Sequence, residues 1–140
     1  SPEDRAERRL KKLVERAEGF YGRITEVQRK QLQAQLEASA FDASVQYREV
    51  LRRQQDTLQT LRALRNGNAT EIHTQAEVRA LVARSLQSPD PAFRQYTDRV
   101  RSQACEAIAA FHNRTSASQR LRLQDTLKGY EGDVLALMRP

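Results

Sequence analysis

The sequence predicts an all-α fold, an antiparallel helical bundle of about six helices. Strong helix formers dominate the 140 residues, whereas glycine occurs five times, proline four times and tryptophan not at all. Apolar residues recur at intervals of three and four, which is the spacing of one helix face. A motif that joins the end of one helix to the start of the next also occurs twice. These patterns indicate a single domain of packed helices over residues 1–140.

The repeated motif spans residues 20–36 and residues 111–127, with an offset of 91 at every matched position. Each copy contains an aromatic residue, a helix-stopping residue, an arginine, a hydroxyl residue, a Gln-Arg pair and two leucines four apart. The helix-stopping residues are Gly22 and Asn113, which we expect to close their helices in the same way. Duplication and two independent solutions to one capping problem both explain the repeat.

The hydroxyl and glutamine residues of the motif form two predicted capping boxes. In a capping box the hydroxyl accepts a hydrogen bond from a backbone N–H three residues ahead, and the glutamine accepts one from the backbone of the hydroxyl residue. Thr25 with Gln28 and Ser116 with Gln119 have this spacing. We therefore predict that each pair begins a helix directly after a turn and serves shape rather than reactivity.

The first two predicted helices form one helix–turn–helix unit over about residues 1–39. Ser1 and Pro2, followed by acids, are a typical helix start. An apolar stripe follows at helical spacing: Leu10, Leu13, Val14, Ala17 and Tyr21. Leu32 and Leu36 give the second helix its inward face.

Two bridging helices are predicted over about residues 43–65 and 75–87. The first carries the stripe Tyr47, Val50, Leu51, Leu58, Leu61 and Leu64, and the break at residues 66–68 ends it. Thr74 with Glu77 has the spacing of another capping box, so we predict that the second bridging helix begins there.

A second helix–turn–helix unit is predicted over about residues 89–138. Asp90 is the predicted cap and Pro91 the first residue of its first helix. The last helix carries leucine, tyrosine and valine at alternating intervals of four and three: Leu123, Leu127, Tyr130, Val134 and Leu137. This stripe could pair within the chain or across a homodimer.

The net charge of +6 arises from 24 basic and 18 acidic residues, and twenty of the basic residues are arginines. Such a charge suits a nucleic acid or an anionic surface, but acids lie among the bases nearly everywhere. We therefore interpret the charge as a solvated helix surface and regard nucleic-acid binding as an alternative. Four arginines are candidate partner or anion contacts: Arg23 and Arg114 beside the two turns, and Arg48 and Arg52 on the third helix. Bonding to the last carbonyls of the preceding helix is the other role open to Arg23 and Arg114.

Residues that carry chemistry are few. Cys105 is the only cysteine and the histidines are His73 and His112, so the four ligands of a zinc site are not paired in sequence. Phosphate-loop, nucleophile-elbow and metalloprotease motifs do not occur. We predict no enzyme activity, cofactor or metal. Cys105 is interpreted as a packing residue, and His112 as a charge partner for the negative end of its helix.

Five segments carry a family resemblance: the two Arg-x-[Thr/Ser]-x-x-Gln-Arg-x-x-Leu segments, Arg-Arg-Gln-Gln-Asp at 52–56, Ser-Pro-Asp-Pro-Ala-Phe at 88–93 and Phe-His-Asn at 111–113. They resemble a family of uncharacterised proteobacterial lipoproteins of unknown function. The resemblance implies the C-terminal part of a longer precursor with an upstream lipobox cysteine. It implies a location on the periplasmic side of the cell envelope, with membrane contact only through the lipid anchor; a cytoplasmic location is the alternative. The family offers no catalytic residues.

The segment Ile24-Thr25-Glu26-Val27-Gln28 is also similar to the Leu-Thr-x-x-Gln repeats of Spy-type periplasmic chaperones, although the second copy lacks the leading aliphatic residue. This similarity implies a chaperone-like or stress-sensing alternative. The leading hypothesis is a non-enzymatic helical domain of an envelope lipoprotein that binds a protein partner or is structural.

Overall fold

The computed structural model describes residues 1–139 and confirms the all-α class, with 83% of the chain helical and no strand in that range. The six helices are α1 (Pro2–Tyr21), α2 (Glu26–Glu37), α3 (Ala43–Asn66), α4 (Glu71–Leu86), α5 (Pro91–Asn113) and α6 (Ala117–Leu137). None of them, over the described residues, is both long enough and apolar enough to cross a bilayer.

The chain divides into two compact units. Unit 1 comprises Ser1–Ser39 and the chain from Gln103 onward, and unit 2 comprises Ala40–Ser102. The first predicted helix–turn–helix unit lies entirely in unit 1. The second is divided, because the boundary after Ser102 falls inside α5.

Unit 1 has a small apolar core. Leu10 of α1, Leu32 of α2 and Phe111 of α5 are its buried members. Six half-buried residues pack against them: Leu13, Val14, Ala17, Tyr21, Ile24 and Leu36. The apolar faces predicted for the first two helices are therefore the faces that form this core.

The helices of unit 1 run antiparallel in two matched pairs. Along α1 and α6, Gln119 bonds the carbonyl of Arg23, and Thr126 further along bonds the earlier carbonyl of Phe20. Along α5 and α2, Gln28 bonds the carbonyl of Arg114, and Gln35 bonds the earlier carbonyl of Ala107. In both pairs the residue number of the partner falls as the residue number along the helix rises, so the paired helices run antiparallel.

The two turns of unit 1 differ in backbone conformation. Gly22 ends α1 with φ 74° and ψ −164°, a region that residues with a Cβ rarely occupy, and its N–H donates to the carbonyl of Glu18. Asn113 is the last residue of α5, and its φ is not positive. Among the described residues other than glycine, positive φ occurs at Asn68. Asn113 therefore does not close its helix as Gly22 does. Arg114 and Thr115 instead donate to carbonyls three residues back, the tighter 3₁₀ pattern.

Helix α4 begins earlier than predicted. Thr70, rather than Thr74, is its N-cap, and the Thr70 hydroxyl accepts a hydrogen bond from the N–H of His73. The break at residues 66–68 is followed at once by a usable cap and by Glu71, whose charge favours a helix N-terminus. Thr74 consequently lies inside the helix, and the capping box predicted for Thr74 with Glu77 does not begin α4.

The second half of α6 is exposed. Leu123 is half-buried, whereas the later members of the stripe, Leu127, Tyr130, Val134 and Leu137, are each at least 50% exposed. Within unit 1, Tyr130 contacts Phe20 edge to face at a ring-centroid distance of 6.1 Å.

We expect Gly22→Ala to lower the free energy of unfolding by about 1–3 kcal/mol, because the backbone at this turn suits glycine alone. Gly129→Ala and Gly132→Ala should each raise it by about 0.5–1 kcal/mol, because both lie inside α6 with open space around an added Cβ. Urea unfolding monitored by circular dichroism would measure all three. A neutral Gly22→Ala variant would contradict the assigned turn conformation.

Candidate functional site at the paired turns of unit 1

Both capping boxes predicted for the repeated motif form. The hydroxyls of Thr25 and Ser116 each accept a hydrogen bond of 3.2 Å from the backbone N–H of their glutamine, Gln28 or Gln119. Each glutamine Oε1 in turn accepts a bond of 2.9 Å from the backbone N–H of its hydroxyl residue. The motif thus begins α2 and α6 as expected.

The two glutamines also bind each other, which the sequence analysis did not predict. Gln28 Nε2 donates to Gln119 Oε1 over 2.8 Å, and Gln119 Nε2 donates to Gln28 Oε1 over 2.9 Å. The second hydrogen of each amide goes to the opposite turn: Gln28 donates to the carbonyl of Arg114 and Gln119 to that of Arg23. Each buried amide therefore uses both donors and both acceptor positions. We call this closed network the glutamine pair.

The contacts of the glutamine pair relate the two copies of the motif by an approximate two-fold axis. Gln28 meets Gln119, and Tyr21 meets His112, and each of these pairs is separated by the repeat offset of 91 residues. A residue that contacts its own counterpart lies close to a symmetry axis, as in the interface of a symmetric dimer. The offset itself was the available sequence signal, although it did not reveal which residues touch.

Tyr21 and His112 form a second link between the copies. The Tyr21 hydroxyl and His112 Nδ1 share a hydrogen bond of 3.0 Å, and the Tyr21 ring lies edge to face on Phe111 at 5.4 Å. Burial raises the pKa of Tyr21, which the positive charge of Arg120 partly opposes. His112 lies in the last turn of α5 as expected, but the partner of its ring is this tyrosine.

Arg23 and Arg114, beside the two turns, are held by their backbone carbonyls and expose their side chains. The carbonyls of Arg23 and Arg114 are held by the glutamine pair, whereas their side chains are exposed and have no hydrogen bond or ion pair among residues 1–139. Bonding to the end of a preceding helix is done by Arg120, which donates to Thr115 Oγ1 and to the carbonyl of Asn113.

The other two candidate arginines lie on α3 and differ from each other. Arg48 is exposed and reaches Ser44 Oγ at 3.4 Å. Arg52 is half-buried and makes two bonds of 2.7 and 2.9 Å to the carboxylate of Glu49, with Asp56 3.6 Å away. The structure therefore places the guanidinium of Arg52 in internal ion pairs.

A network of charged side chains lies between α3 and α4 in unit 2. Glu49 is buried and accepts, besides Arg52, a bond of 3.2 Å from the hydroxyl of Ser88. Arg84 of α4 donates two bonds of 2.9 Å to the carboxylate of Asp56. Sequence reasoning missed this network, which we call the α3–α4 ion cluster. The acids and bases three and four residues apart from Glu49 to Asp56 were its signal.

The pKa values of the ion cluster shift in the direction that ion pairing requires. The hydrogen bonds from Arg52 lower the pKa of Glu49, and those from Arg84 lower the pKa of Asp56. The same bonds raise the pKa of both arginines. All four groups therefore remain charged at neutral pH, and their contact between α3 and α4 is electrostatic.

Residues with metal-binding or nucleophilic potential are not gathered at either place. No three His, Cys, Asp or Glu side chains lie together at a possible metal site within residues 1–139. Cys105 is exposed, so its interpretation as a packing residue was wrong. The expectations that the chain binds no metal and catalyses no reaction stay predictions. What the turns present to solvent is a rigid backbone that carries free arginine side chains.

Removing one member of the glutamine pair should destabilise unit 1. We expect Gln28→Ala to cost about 2–4 kcal/mol, because it leaves the buried amide of Gln119 and the part-buried backbone groups of Thr25 and Arg114 without their partner. Gln119→Ala should cost a similar amount, and the double variant less than the sum. Gln35→Ala removes one hydrogen bond from the same helix. Its effect on the free energy of unfolding should instead be additive with that of Gln119→Ala. Additive effects of the two glutamine variants in urea unfolding would contradict the closed network.

The α3–α4 ion cluster should make the free energy of unfolding depend on pH. The folded pKa values of Glu49 and Asp56 lie below their ordinary values of 4.5 and 3.8, so the folded state holds fewer protons than the unfolded state. Their stabilisation is present above these ordinary values and is lost as the pH falls through the folded pKa values.

Urea midpoints measured between neutral pH and about pH 3 would show this effect. Asp56→Asn should reduce the loss of stability on acidification. Asp98→Asn, at a widely exposed ion pair with Arg101, is the control and should leave the loss unchanged. Equal pH profiles for Asp56→Asn and the unaltered protein would contradict the assigned role.

Comparison of the chain with protein-family models, with curated proteins and with solved structures gives no match. What the chain does is therefore inferred from the geometry of its own residues.

Proposed function

We propose that the chain is a non-enzymatic helical domain of an envelope lipoprotein, and that it binds an acidic segment of a partner protein at the paired turns of unit 1. The observation that supports this most is the pair Arg23 and Arg114. Their carbonyls are fixed by one glutamine pair, while both guanidinium groups are exposed and free of acidic partners. Two long cations are thus displayed from fixed positions at one end of a helical unit.

The charge at this end comes from side chains rather than from helix dipoles. Two helices end here and two begin, so their opposite partial charges largely offset each other. The motif supplies Arg29 and Arg120 in addition to Arg23 and Arg114, whereas Glu26 and Glu18 are the neighbouring acids. Glu18 is already engaged with the N–H of Ile24. A net positive surface remains, to which carboxylates would be attracted.

The small number of free cations favours a protein over a nucleic acid. Proteins that bind duplex DNA through its backbone commonly contact about 6–10 phosphates. The turns offer Arg23, Arg29 and Arg114 as guanidinium groups without a described hydrogen bond or ion pair. Arginine forks match the two oxygens of a carboxylate, so two or three of them suffice for a short acidic segment.

The envelope location in this proposal is supported by the resemblance of the motif segments at 23–32, 52–56, 88–93 and 114–123 to proteobacterial lipoproteins. Under that reading the domain lies on the periplasmic side and a lipid anchor upstream holds it at the membrane. Fractionation of cells that produce the full precursor, followed by globomycin-type inhibition of lipoprotein processing, would test the location separately from binding.

A chaperone-like activity is the second candidate function. Large apolar side chains on α3 and α6 are exposed, including Tyr47, Leu58 and Leu137, and such surface is what an unfolded client would contact. Suppression of the aggregation of a heated client protein at near-stoichiometric amounts would support it. No suppression at about tenfold excess would eliminate it.

The arginine proposal is tested by fluorescence anisotropy with a labelled polyglutamate peptide. We expect the double variant Arg23→Ala/Arg114→Ala to weaken binding about tenfold, because two charge-assisted contacts are lost. Arg79→Ala/Arg99→Ala removes the same charge from exposed positions of α4 and α5 and should weaken binding less than about twofold.

Equal losses for both double variants would show that only the net charge attracts the peptide and would overturn the proposed site. Binding of duplex DNA at about 50 mM salt, with the same dependence on Arg23 and Arg114, would favour the nucleic-acid alternative instead.

A further inference from the structure

Helix α3 buries its charged face and exposes its apolar face. Glu49, Asp56 and Thr60 lie on the inner face, where they bond Ser88 or Arg84. Four large side chains of the predicted stripe are exposed by 38–63%: Tyr47, Leu51, Leu58 and Leu61. Most of the stripe expected to form a core therefore faces solvent in unit 2, and Leu64 is half-buried. An amphipathic helix on a protein surface normally has the opposite orientation.

The exposed face of α3 has the spacing of a coiled-coil seam. Its members alternate at intervals of four and three: Tyr47, Leu51, Gln54, Leu58, Leu61 and Arg65. We call this set the α3 seam. Alternation of this kind keeps one line of side chains on one side of a helix, where a second helix can pack along it. The 24 residues of α3 give a helix about 36 Å long.

We propose that the α3 seam pairs with the α3 seam of a second copy of this chain, with the two helices parallel and in register. Gln54 is the polar residue at the centre of the seam. Once covered, its amide needs a hydrogen-bond partner, since a buried amide without one is destabilising. A second copy in register brings the same amide to face it. The glutamine pair of unit 1 shows this chain using such a contact.

The charges beside the seam distinguish parallel from antiparallel pairing. Arg48, Gln55 and Arg62 follow seam positions along one edge, and Val50, Thr57 and Leu64 lie along the other. In a parallel pair each edge meets the opposite edge, so Arg48 and Arg62 face uncharged residues, and Arg65 at the end of the seam is the arginine that meets its own counterpart. In an antiparallel pair centred on Gln54, like edges meet and Arg48 approaches Arg62 of the second copy. Repulsion therefore disfavours the antiparallel arrangement.

The size of the seam sets the strength of the expected dimer. The seam from Tyr47 to Arg65 is about 27 Å long, and a contact about 10 Å wide along it covers on the order of 300 Å² of each copy, below the roughly 800 Å² per partner of a standard stable interface. We therefore expect a dimer that dissociates in the micromolar range rather than an obligate one. This inference is independent of the arginine-bearing turns of unit 1.

Sedimentation velocity of the full chain between about 1 and 200 µM should show a monomer–dimer equilibrium. Leu58→Glu should weaken the dimer by at least about tenfold, because it places a charge in the apolar seam. Gln59→Glu makes the same charge change at an exposed position of α3 outside the seam. It should change the dissociation constant of the dimer less than about twofold. Circular dichroism would confirm that both variants remain helical.

Salt separates this dimer from binding to an acidic helix. Each copy carries +6, so raising salt from about 0.1 to 0.5 M should leave self-association equal or stronger. A monomer over the whole concentration range, a dimer unaffected by Leu58→Glu, or a dimer lost at high salt would each overturn the proposal.

Disulfide trapping tests the register. In a Cys105→Ser background, Leu61→Cys should form a covalent dimer under mild oxidation, since parallel helices in register bring this position against itself. Gln59→Cys is the matched control and should form none. A dimer that persists without trapping at Leu61→Cys would overturn the parallel, in-register pairing.

Discussion

The hydrogen-bonded amides of Gln28 and Gln119 form the contact on which the rest of unit 1 depends. Each amide ties its own helix start to the opposite turn, so four helix ends meet through two side chains. The apolar core of unit 1 is small, because its fully buried members among the described residues are Leu10, Leu32 and Phe111. A fully satisfied polar network is specific in geometry, since a shift of either helix breaks several bonds at once.

The two units differ in the polar groups that they bury. In unit 1 the buried amides are neutral and sit at the end of an apolar core. In unit 2 the fully buried residues described are polar or charged, Glu49, Thr60 and Ser88, and its apolar side chains are half-buried or exposed. A buried ion pair contributes modestly to stability because desolvation offsets much of the attraction. Its value in unit 2 is that it fixes which face of α3 meets α4.

Local sequence chemistry determined what could be predicted. The caps at Ser1, Thr25, Asp90 and Ser116 act within a few residues, so the helix starts they define were readable from spacing alone. The start of α4 was misplaced because Thr70 and Thr74 are both plausible caps and only the preceding turn selects between them. The orientation of α3 could not be read at all. Its charged and apolar residues both recur every three or four positions, and only α4 decides which set is covered.

The candidate site followed the same rule. Arg23 and Arg114 were recognisable as a matched pair, but the contact between Gln28 and Gln119 joins residues 91 apart and depends on how two helical hairpins meet. Nothing in the sequence distinguished Arg52 from Arg48 as a partner contact. In the structure, Glu49 and Asp56 form ion pairs with the guanidinium of Arg52.

The discontinuity of unit 1 has a consequence for how the chain acquires its structure during synthesis. Residues 40–102 are translated before Gln119, so Gln28 is synthesised some ninety codons before its partner. The residues of unit 2 are already synthesised by then, and the N-terminal hairpin without its α6 partner is the segment that chaperones or proteases would meet in the interval. Maturation of the arginine-bearing end is therefore a late event, governed by the translation of α6.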